Sequence, residues 1–367
     1  MSQERLVSLD AFRGMTIAGM ILVNNPGSWN YVYPPLRHAA WHGWTPTDLV
    51  FPFFVFIVGC SVSLAISRRI GEGAGRADLY FKIFKRSAII FLLGILLHLI
   101  PRFNFAAMRI PGVLQRIALC YFFAALLYVH FGVRGRAAAV VIALVAYWLT
   151  MKLVPVPGYG AGVLNFHGNL CSYIDTKLLA GHLHRPEFDP EGILSTLPAI
   201  ATAVLGTLAG DWLRSSRKAL VKSAGLAVAG GTLAGLGLAL HPHFPINKQL
   251  WTSTFVLFSG GAALLLLAGC YFLIDARGLK TWATPFYVFG TNAIATFVGS
   301  TLVVKLLLLV KVSTDGEKIG LLSFIYQRLF ATWAGDFGGS LAYAAAYVLI
   351  WLAIMTPLYR KRIFIKI

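Results

Sequence analysis

The sequence predicts an all-α polytopic membrane protein of about ten transmembrane helices, and three observations carry that reading. Of its 367 residues, 57% are hydrophobic and 13% charged. Mean hydropathy is +0.72. The apolar residues gather into runs of about twenty, the length a helix needs to cross a hydrocarbon layer about 30 Å thick. A soluble domain is about a quarter charged, so lipid is the solvent this composition suits.

The runs fall near residues 11–29, 47–67, 82–100, 111–131, 137–154, 191–213, 219–240, 250–273, 284–308 and 340–359. The segment leading into the first, MSQERLVSLDAFRG, is polar and lacks a small-residue cleavage site, so it reads as mature sequence. Thr45-Pro46 ahead of Asp48, Asp189-Pro190-Glu191 and Thr284-Pro285 read as helix starts, each an N-cap followed by proline in the first turn. Residues 309–339 contain IGLLSFIYQRLFATW, apolar at helical spacing and interrupted by Arg328, which predicts an additional helix lying in the interface in the last outer loop. The other long loop, 155–190, is rich in Gly, His and aromatics. With no low-complexity tract or internal repeat, residues 1–367 read as a single transmembrane domain.

The formal charge of +18 does not indicate nucleic acid, because the basic residues lie between apolar runs and no nucleic-acid motif accompanies them. Twenty of the 32 Lys and Arg residues, from Arg5 and Arg13 through Arg68, Arg69, Lys82, Lys85 and Arg86 to Lys366, fall at alternate helix ends. The positive-inside rule then puts both termini in the cytoplasm of an inner-membrane protein. Eight of the nine histidines fall at or near the opposite face, where either proton chemistry or plain solvation accounts for them. Cys60, Cys120, Cys171 and Cys270 are widely spaced with no CxxC, which argues against a disulfide or zinc framework. His182-x-His184 and His241-x-His243 lack an acidic or cysteine partner, so no metal is expected.

The most unusual stretch is residues 22–59, LVNNPGSWNYVYPPLRHAAWHGWTPTDLVFPFFVFIVG. Pro26, Pro34 and Pro35 keep the linker from becoming helix. Asn24, Asn25, His38, His42 and Asp48 are set among Trp29, Trp41 and Trp44, a polar turn walled by aromatic rings. Acetyl transfer to an amine needs a base for the amine proton and a donor for the oxyanion. His38 and Asn24 are of the right types, and Asp48 could orient the imidazole. The plainer readings stand beside these: Asp48 as a helix cap, Asn24 bonded to the chain end, His38 as a solvated loop residue.

Polar residues inside the runs form a second group, since each is costly in lipid and faces a partner or cavity. Gln115 and Arg116 lie in the fourth run and Asn292 in the ninth, while Arg13 stands three residues after Asp10, on the same helical face. Each serves either a site or helix–helix adhesion. No Walker loop, GxGxxG after a strand, HExxH or GxSxG elbow is present.

LDAFRGMTIAGMILVNNPG and RHAAWHGWTPTDLVFPFFVFIVG, followed in order by RIPGVLQRIALCYF, DPEGILSTLPAIATAVLGTLAG, INKQLW and ATPFYVFGTNAIATFVG, resemble the heparan-alpha-glucosaminide N-acetyltransferase family and its bacterial inner-membrane branch. The resemblance implies a transferase that takes acetyl from cytosolic acetyl-CoA to a glucosamine-type amine across the membrane. It matches the family histidine to His38, the essential asparagine to Asn24, the span-four arginine to Arg116 and the DLVFP aspartate to Asp48, and it implies a homodimer. Gln115, Arg116, Arg13 and Asn292 are then expected toward the cofactor, and Trp41, His42, Trp44 and Asn25 toward the acceptor sugar or oligosaccharide. The Tyr33-Pro34-Pro35 region lengthens the loop relative to the animal enzymes, and their N-terminal luminal domain has no counterpart here, so acceptor choice stays open. The competing reading is an amino-sugar (N-acetylglucosamine) transporter with the same turn as its sugar site. Pro52 and Pro198, taken to interrupt the second and sixth runs, do not fit a five-plus-five inverted repeat.

Overall fold

The computed structural model describes residues 6–314 and 317–365. Arg5 and Lys366, counted above among the basic helix ends, lie outside the described residues. The first nine helices are α1 (Val7–Asn24), α2 (Pro46–Gly71), α3 (Arg76–Leu99), α4 (Val113–His130), α5 (Val133–Leu153), the short α6 (Leu170–Leu178), α7 (Thr196–Arg214), α8 (Ala219–Ala239) and α9 (Ser253–Tyr271). After them come α10 (Thr284–Thr291), α11 (Ala293–Leu307), α12 (Leu321–Ile325) and α13 (Thr332–Arg360). Two small antiparallel hairpins, β1 (Pro155–Val156) with β2 (Gly160–Ala161) and β3 (Lys311–Thr314) with β4 (Glu317–Gly320), sit in the long loops.

Every predicted run overlaps a helix, though the run at 11–29 leaves helix after Asn24 and the run at 191–213 enters it only at Thr196. Among the described residues seven helices are long and apolar enough to cross a membrane, or eight when the bent α10–α11 pair counts as one span. Neither α1 nor α3 is in that group: Asp10 and Arg13 in the one, and Lys82, Lys85 and Arg86 in the other, dilute their apolar character. α2 and α7 are central, with 61% and 67% of their apolar windows buried, whereas α8 buries 17% and so presents most of its surface to lipid. The largest core cluster, including Ile17, Met20, Phe54, Val55, Ile117, Val204 and Phe255, centres on α1, α2, α4, α7 and α9, with further residues from α3, α5, α10, α11 and α13.

Glycine lets the two central helices touch backbone to backbone. A Cβ added to Gly59 would stand 1.8 Å from the Ala203 carbonyl oxygen, and one added to Gly206 2.0 Å from that of Phe56. Small residues at such crossings are how helices associate where lipid removes the hydrophobic drive between them. At the basic end of the same crossing, Asp211 accepts from Ser63 Oγ at 2.7 Å and Tyr128 OH at 2.9 Å and pairs with Arg136, so an acidic residue is fully engaged by α2, α4 and α5.

Four local expectations are corrected. The run at 284–308 is not straight: α10 and α11 meet at 72°, and buried Asn292 fills the break, donating to the Ile363 carbonyl at 3.1 Å and accepting from the Ile365 N–H at 2.8 Å. Asn292 therefore ties the C-terminal segment to the bundle. Asp189-Pro190 does not start a helix: Asp189 holds Arg109 and accepts from the Glu191 N–H at 2.9 Å in a local turn, α7 begins only at Thr196, and Pro198 lies in its first turn, where its missing N–H costs nothing. Thr284 is the first residue of α10 and not its cap; its hydroxyl donates to Thr281 in a preceding 3-10 turn. In the 309–339 loop the β3–β4 hairpin comes first, then α12 and a wider-wound turn, Tyr326–Ala331, which continue into α13 through a kink at Gly335, where φ is 66°.

Candidate active site

The loop between α1 and α2 is held at both ends. Its first half docks on α13: the Gly27 N–H donates to the Ser340 carbonyl at 3.2 Å, and Tyr31 and Tyr33 lie 5.6 and 5.5 Å from the Phe337 ring. Its second half docks on the segment before α9, where the Gly43 N–H donates to the Ile246 carbonyl at 2.8 Å. Trp41 wedges edge-on between Phe166 and Phe188 and donates its indole N–H to the Leu164 carbonyl at 2.8 Å. His38 is carried between these anchors.

His38 Nδ1 stands 2.7 Å from Asp48 Oδ1, and Asp48 Oδ2 accepts from the backbone N–H groups of Ala39 at 2.9 Å and Thr45 at 3.0 Å. Thr45 and Asp48 form a capping box, with Pro46 as the first helical residue. Asp48 is thus both helix cap and partner of the imidazole. The carboxylate is 1% exposed and the imidazole 43%. An Nδ1–H that donates to the buried carboxylate leaves the lone pair on Nε2, the nitrogen that can then take up a proton; in that tautomer Nδ1 does not also accept from the Lys248 ammonium 3.0 Å away.

Lys248 completes the group, with Nζ 3.0 Å from His38 Nδ1 and 3.5 Å from Asp48 Oδ1. It is presented by a tight turn in INKQLW. Asn247 Oδ1 accepts from the Leu250 N–H, the Trp251 N–H donates to the Lys248 carbonyl, and buried Trp251 takes a left-handed φ of 51°. Burial pushes the Lys248 ammonium below the usual lysine range, against the pull of Asp48 and Glu191. The lysine is a short-range positive charge beside the ring, with none of its sequence neighbours to mark it.

His38, Asp48 and Lys248 line a cavity of about 780 Å³ together with Asn24, Trp29, Arg109, His184 and Glu191. Arg109 grips Asp189 through two bonds of 2.8 and 2.6 Å and also pairs with Glu191, which fixes the far wall. Burial raises the Asp189 carboxyl, but Arg109 outweighs it and holds Asp189 below the usual range. A second cavity of about 340 Å³ shares Met20, Asn24, Arg109 and Val113 with the first, so exposed Asn24, the last residue of α1, stands at their junction.

The other expected residues are distributed differently. Gln115 and Asn25 line the smaller cavity; Gln115 Nε2 is 3.4 Å from His98 Nδ1, and Asn25 donates to the Ile21 carbonyl at 2.7 Å, closing the end of α1. His42 faces Asn247 at 3.4 Å and Trp44 stacks obliquely 4.5 Å from Phe258, so with Trp41 they brace the loop rather than line the large cavity. Arg13 binds Asp10 at 2.9 Å and Ser61 at 2.7 Å. It lies in a third cavity of about 870 Å³ at the other end of the α1–α2 pair, with Arg68, Arg214, Lys222 and Lys280. Arg109 and Glu191 carried a signal, as charges flanking apolar runs, but their convergence is a product of tertiary folding.

Arg116 is 1% exposed and lines none of these cavities. Its guanidinium lies 5.1 Å over the Trp251 ring and donates to the Gly192 carbonyl and Ser195 hydroxyl, fixing the approach to α7. Nearby on α6, fully buried Asp175 accepts from the Ile193 N–H at 2.9 Å, and its second oxygen has no partner. Burial pushes this carboxyl up to about 6, against the Ile193 N–H and with the Asp189 charge. The folded protein therefore holds the proton more tightly than the unfolded chain, for which 3.8 applies. Stability from this group is fullest below pH 3.8 and is lost as pH rises through about 6, a fall of about 3 kcal/mol. Asp175→Asn is expected to remove this fall from the dependence of Tm on pH in detergent; a variant that keeps the parental slope between about pH 4 and 6 contradicts the assignment.

Residues 5–241 match the family described as heparan-alpha-glucosaminide N-acetyltransferase, catalytic. The chain belongs to this family. It is 32% identical to the human heparan-alpha-glucosaminide N-acetyltransferase over 351 residues, which covers 80% of this chain and 52% of the human protein. Identity to the mouse protein of the same name is 31% over 356 residues, 81% of this chain and 53% of that protein. The chain spans about half the length of the curated relatives it matches. The family match takes in α1 to α8, with His38, Asp48, Arg109 and Glu191, and stops short of Lys248.

Proposed function

We propose that this protein transfers an acetyl group from acetyl-CoA to the amine of a glucosamine-type sugar, with the donor held at one membrane face and the acceptor entering from the other. The observation that carries the reading is the His38–Asp48 pair on the wall of the 780 Å³ cavity, in a chain of this family. His38 takes the acceptor amine's proton on Nε2, with Asp48 stabilising the charge that the ring acquires. Asn24, at the junction of the two outer cavities, donates to the thioester carbonyl oxygen as it gains charge. In direct transfer the amine nitrogen bonds the thioester carbonyl carbon, the C–S bond breaks as the oxyanion collapses, and the CoA thiolate leaves with the proton that His38 took from the amine.

Acetyl-CoA brings a phosphorylated nucleotide and a thioester on a long arm. The 870 Å³ cavity suits the first, since Arg13, Arg68, Arg214, Lys222 and Lys280 face only Asp10 and Asp275 as acids in its lining. Met20 at the outer cavities is seven positions on from Arg13 along α1, a rise of about 10 Å. The intervening turns carry Ile17 on α1 and Phe54 on α2, both buried. The arm then follows the α1–α2 seam, with these side chains giving way to it.

With the protein reconstituted in liposomes, acetyl-CoA and glucosamine are expected to give CoA release that depends on the amine. A transporter instead gives labelled sugar uptake in the absence of acetyl-CoA. Uptake with no amine-dependent CoA release would overturn the proposal.

A further inference from the structure

A fourth cavity, of about 210 Å³, opens between α2, α3 and α4. Arg69, Lys82, Lys85 and Arg86 line it together with Tyr121; the rest of the wall is aliphatic, and no carboxylate is part of it. Four cations around so small a space repel one another unless an anion joins them. Asp78, which binds Lys82 at 2.6 Å, offsets one of the four from outside the lining.

Arg86 sharpens the point. Its guanidinium carbon stands 4.8 Å over the Tyr121 ring, which fixes the plane of the group. Its Nε–H is buried with no partner. A buried donor without an acceptor is costly, and a planar guanidinium with free in-plane donors matches two phosphate oxygens. Along the same stretch of α3, Phe81 and Phe84 alternate with the lysines and are 65% and 64% exposed. Apolar rings beside an anion cradle suit an amphiphile, whose phosphate and chains arrive together; a soluble phosphate leaves the rings uncovered. The cavity shares Ala65 of α2 with the 870 Å³ cavity, so the two are neighbours on the basic face.

We propose that this cavity is a binding site for the phosphate of an anionic phospholipid, whose acyl chains lie along Phe81 and Phe84. The inference is independent of the acetyltransferase reading, because it rests on residues that line no part of the His38 cavity.

The test is native mass spectrometry of the full chain in neutral detergent, titrated with phosphatidylglycerol or phosphatidylcholine, with glycerol phosphate and CoA as soluble competitors. Phosphatidylglycerol is expected to bind at least tenfold more tightly than phosphatidylcholine. Lys85→Ala with Arg86→Gln is expected to erase that preference, whereas Lys222→Ala in the neighbouring cavity leaves it. Should the double variant not fold, Lys82→Ala with Arg69→Ala, at positions on the accessible rim, is expected to weaken phosphatidylglycerol binding severalfold at unchanged Tm. Equal binding of the two lipids, or a preference that survives both pairs of substitutions, overturns the proposal. Displacement by glycerol phosphate or CoA at concentrations comparable with the lipid's also overturns it, by making the ligand a soluble phosphate.

Discussion

His38→Ala is expected to lower kcat for acetyl transfer by about a hundred- to ten-thousand-fold, the range that a positioned general base supplies. KM for the donor is expected to change little, because His38 is not part of the lining of the basic cavity. The substitution is a clean one. The imidazole is 43% exposed, and its removal leaves Asp48 Oδ2 still bonded to the Ala39 and Thr45 N–H groups, so the start of α2 is kept. Asp48→Ala is less informative, since it removes the cap and the imidazole's partner at once. Rates measured as CoA release on folded, monodisperse protein decide the matter. A His38→Ala protein working within about threefold of the parent denies the base role.

The largest effect on stability is expected from Gly206→Leu. The Phe56 carbonyl oxygen lies 2.0 Å from where its Cβ must go, and Gly210, one turn on, is similarly closed by Ser63. Backbone cannot rotate aside as a side chain can, so α7 has to move from α2 along its length. Overpacking in a well-filled core costs about 1–3 kcal/mol and sometimes more, and the displacement also pulls Asp211 from Ser63. A sharp loss of Tm, or of monodisperse protein after extraction, is the expected outcome. Gly231→Leu on α8 is the control, because no atom of another element lies within 4 Å of its Cβ position. Equal Tm values for the two variants contradict the packing account.

The spans were legible because lipid demands long apolar runs and because proline and threonine mark where some of them begin. The breaks were not, since each depends on a partner distant in sequence. Asn292 ends α10 only because the backbone at Ile363 and Ile365 comes to meet it. Asp189 is an N-cap by its local sequence; in the fold it accepts from the Glu191 N–H without starting a helix and pairs with Arg109, 80 residues away. The pair His38 and Asp48, ten residues apart on one loop and helix, was readable from spacing and chemistry. Lys248, 210 residues from His38, was not. Arg116 looked like a site residue because an arginine in a span is costly; its cost is met in part by Gly192, Ser195 and the Trp251 ring. The aromatic residues Trp41 and Trp44 stood out in the sequence, and their rings brace the loop against Phe166, Phe188 and Phe258.

The central claim is that a donor held at the basic face is used by an imidazole at the opposite face. Proteoliposomes of uniform orientation, with acetyl-CoA confined to the compartment touching the basic helix ends and glucosamine to the other, test it directly. Free CoA on the first side and N-acetylated sugar on the second are expected, both abolished in His38→Ala. Product formed only when donor and acceptor share one compartment contradicts it.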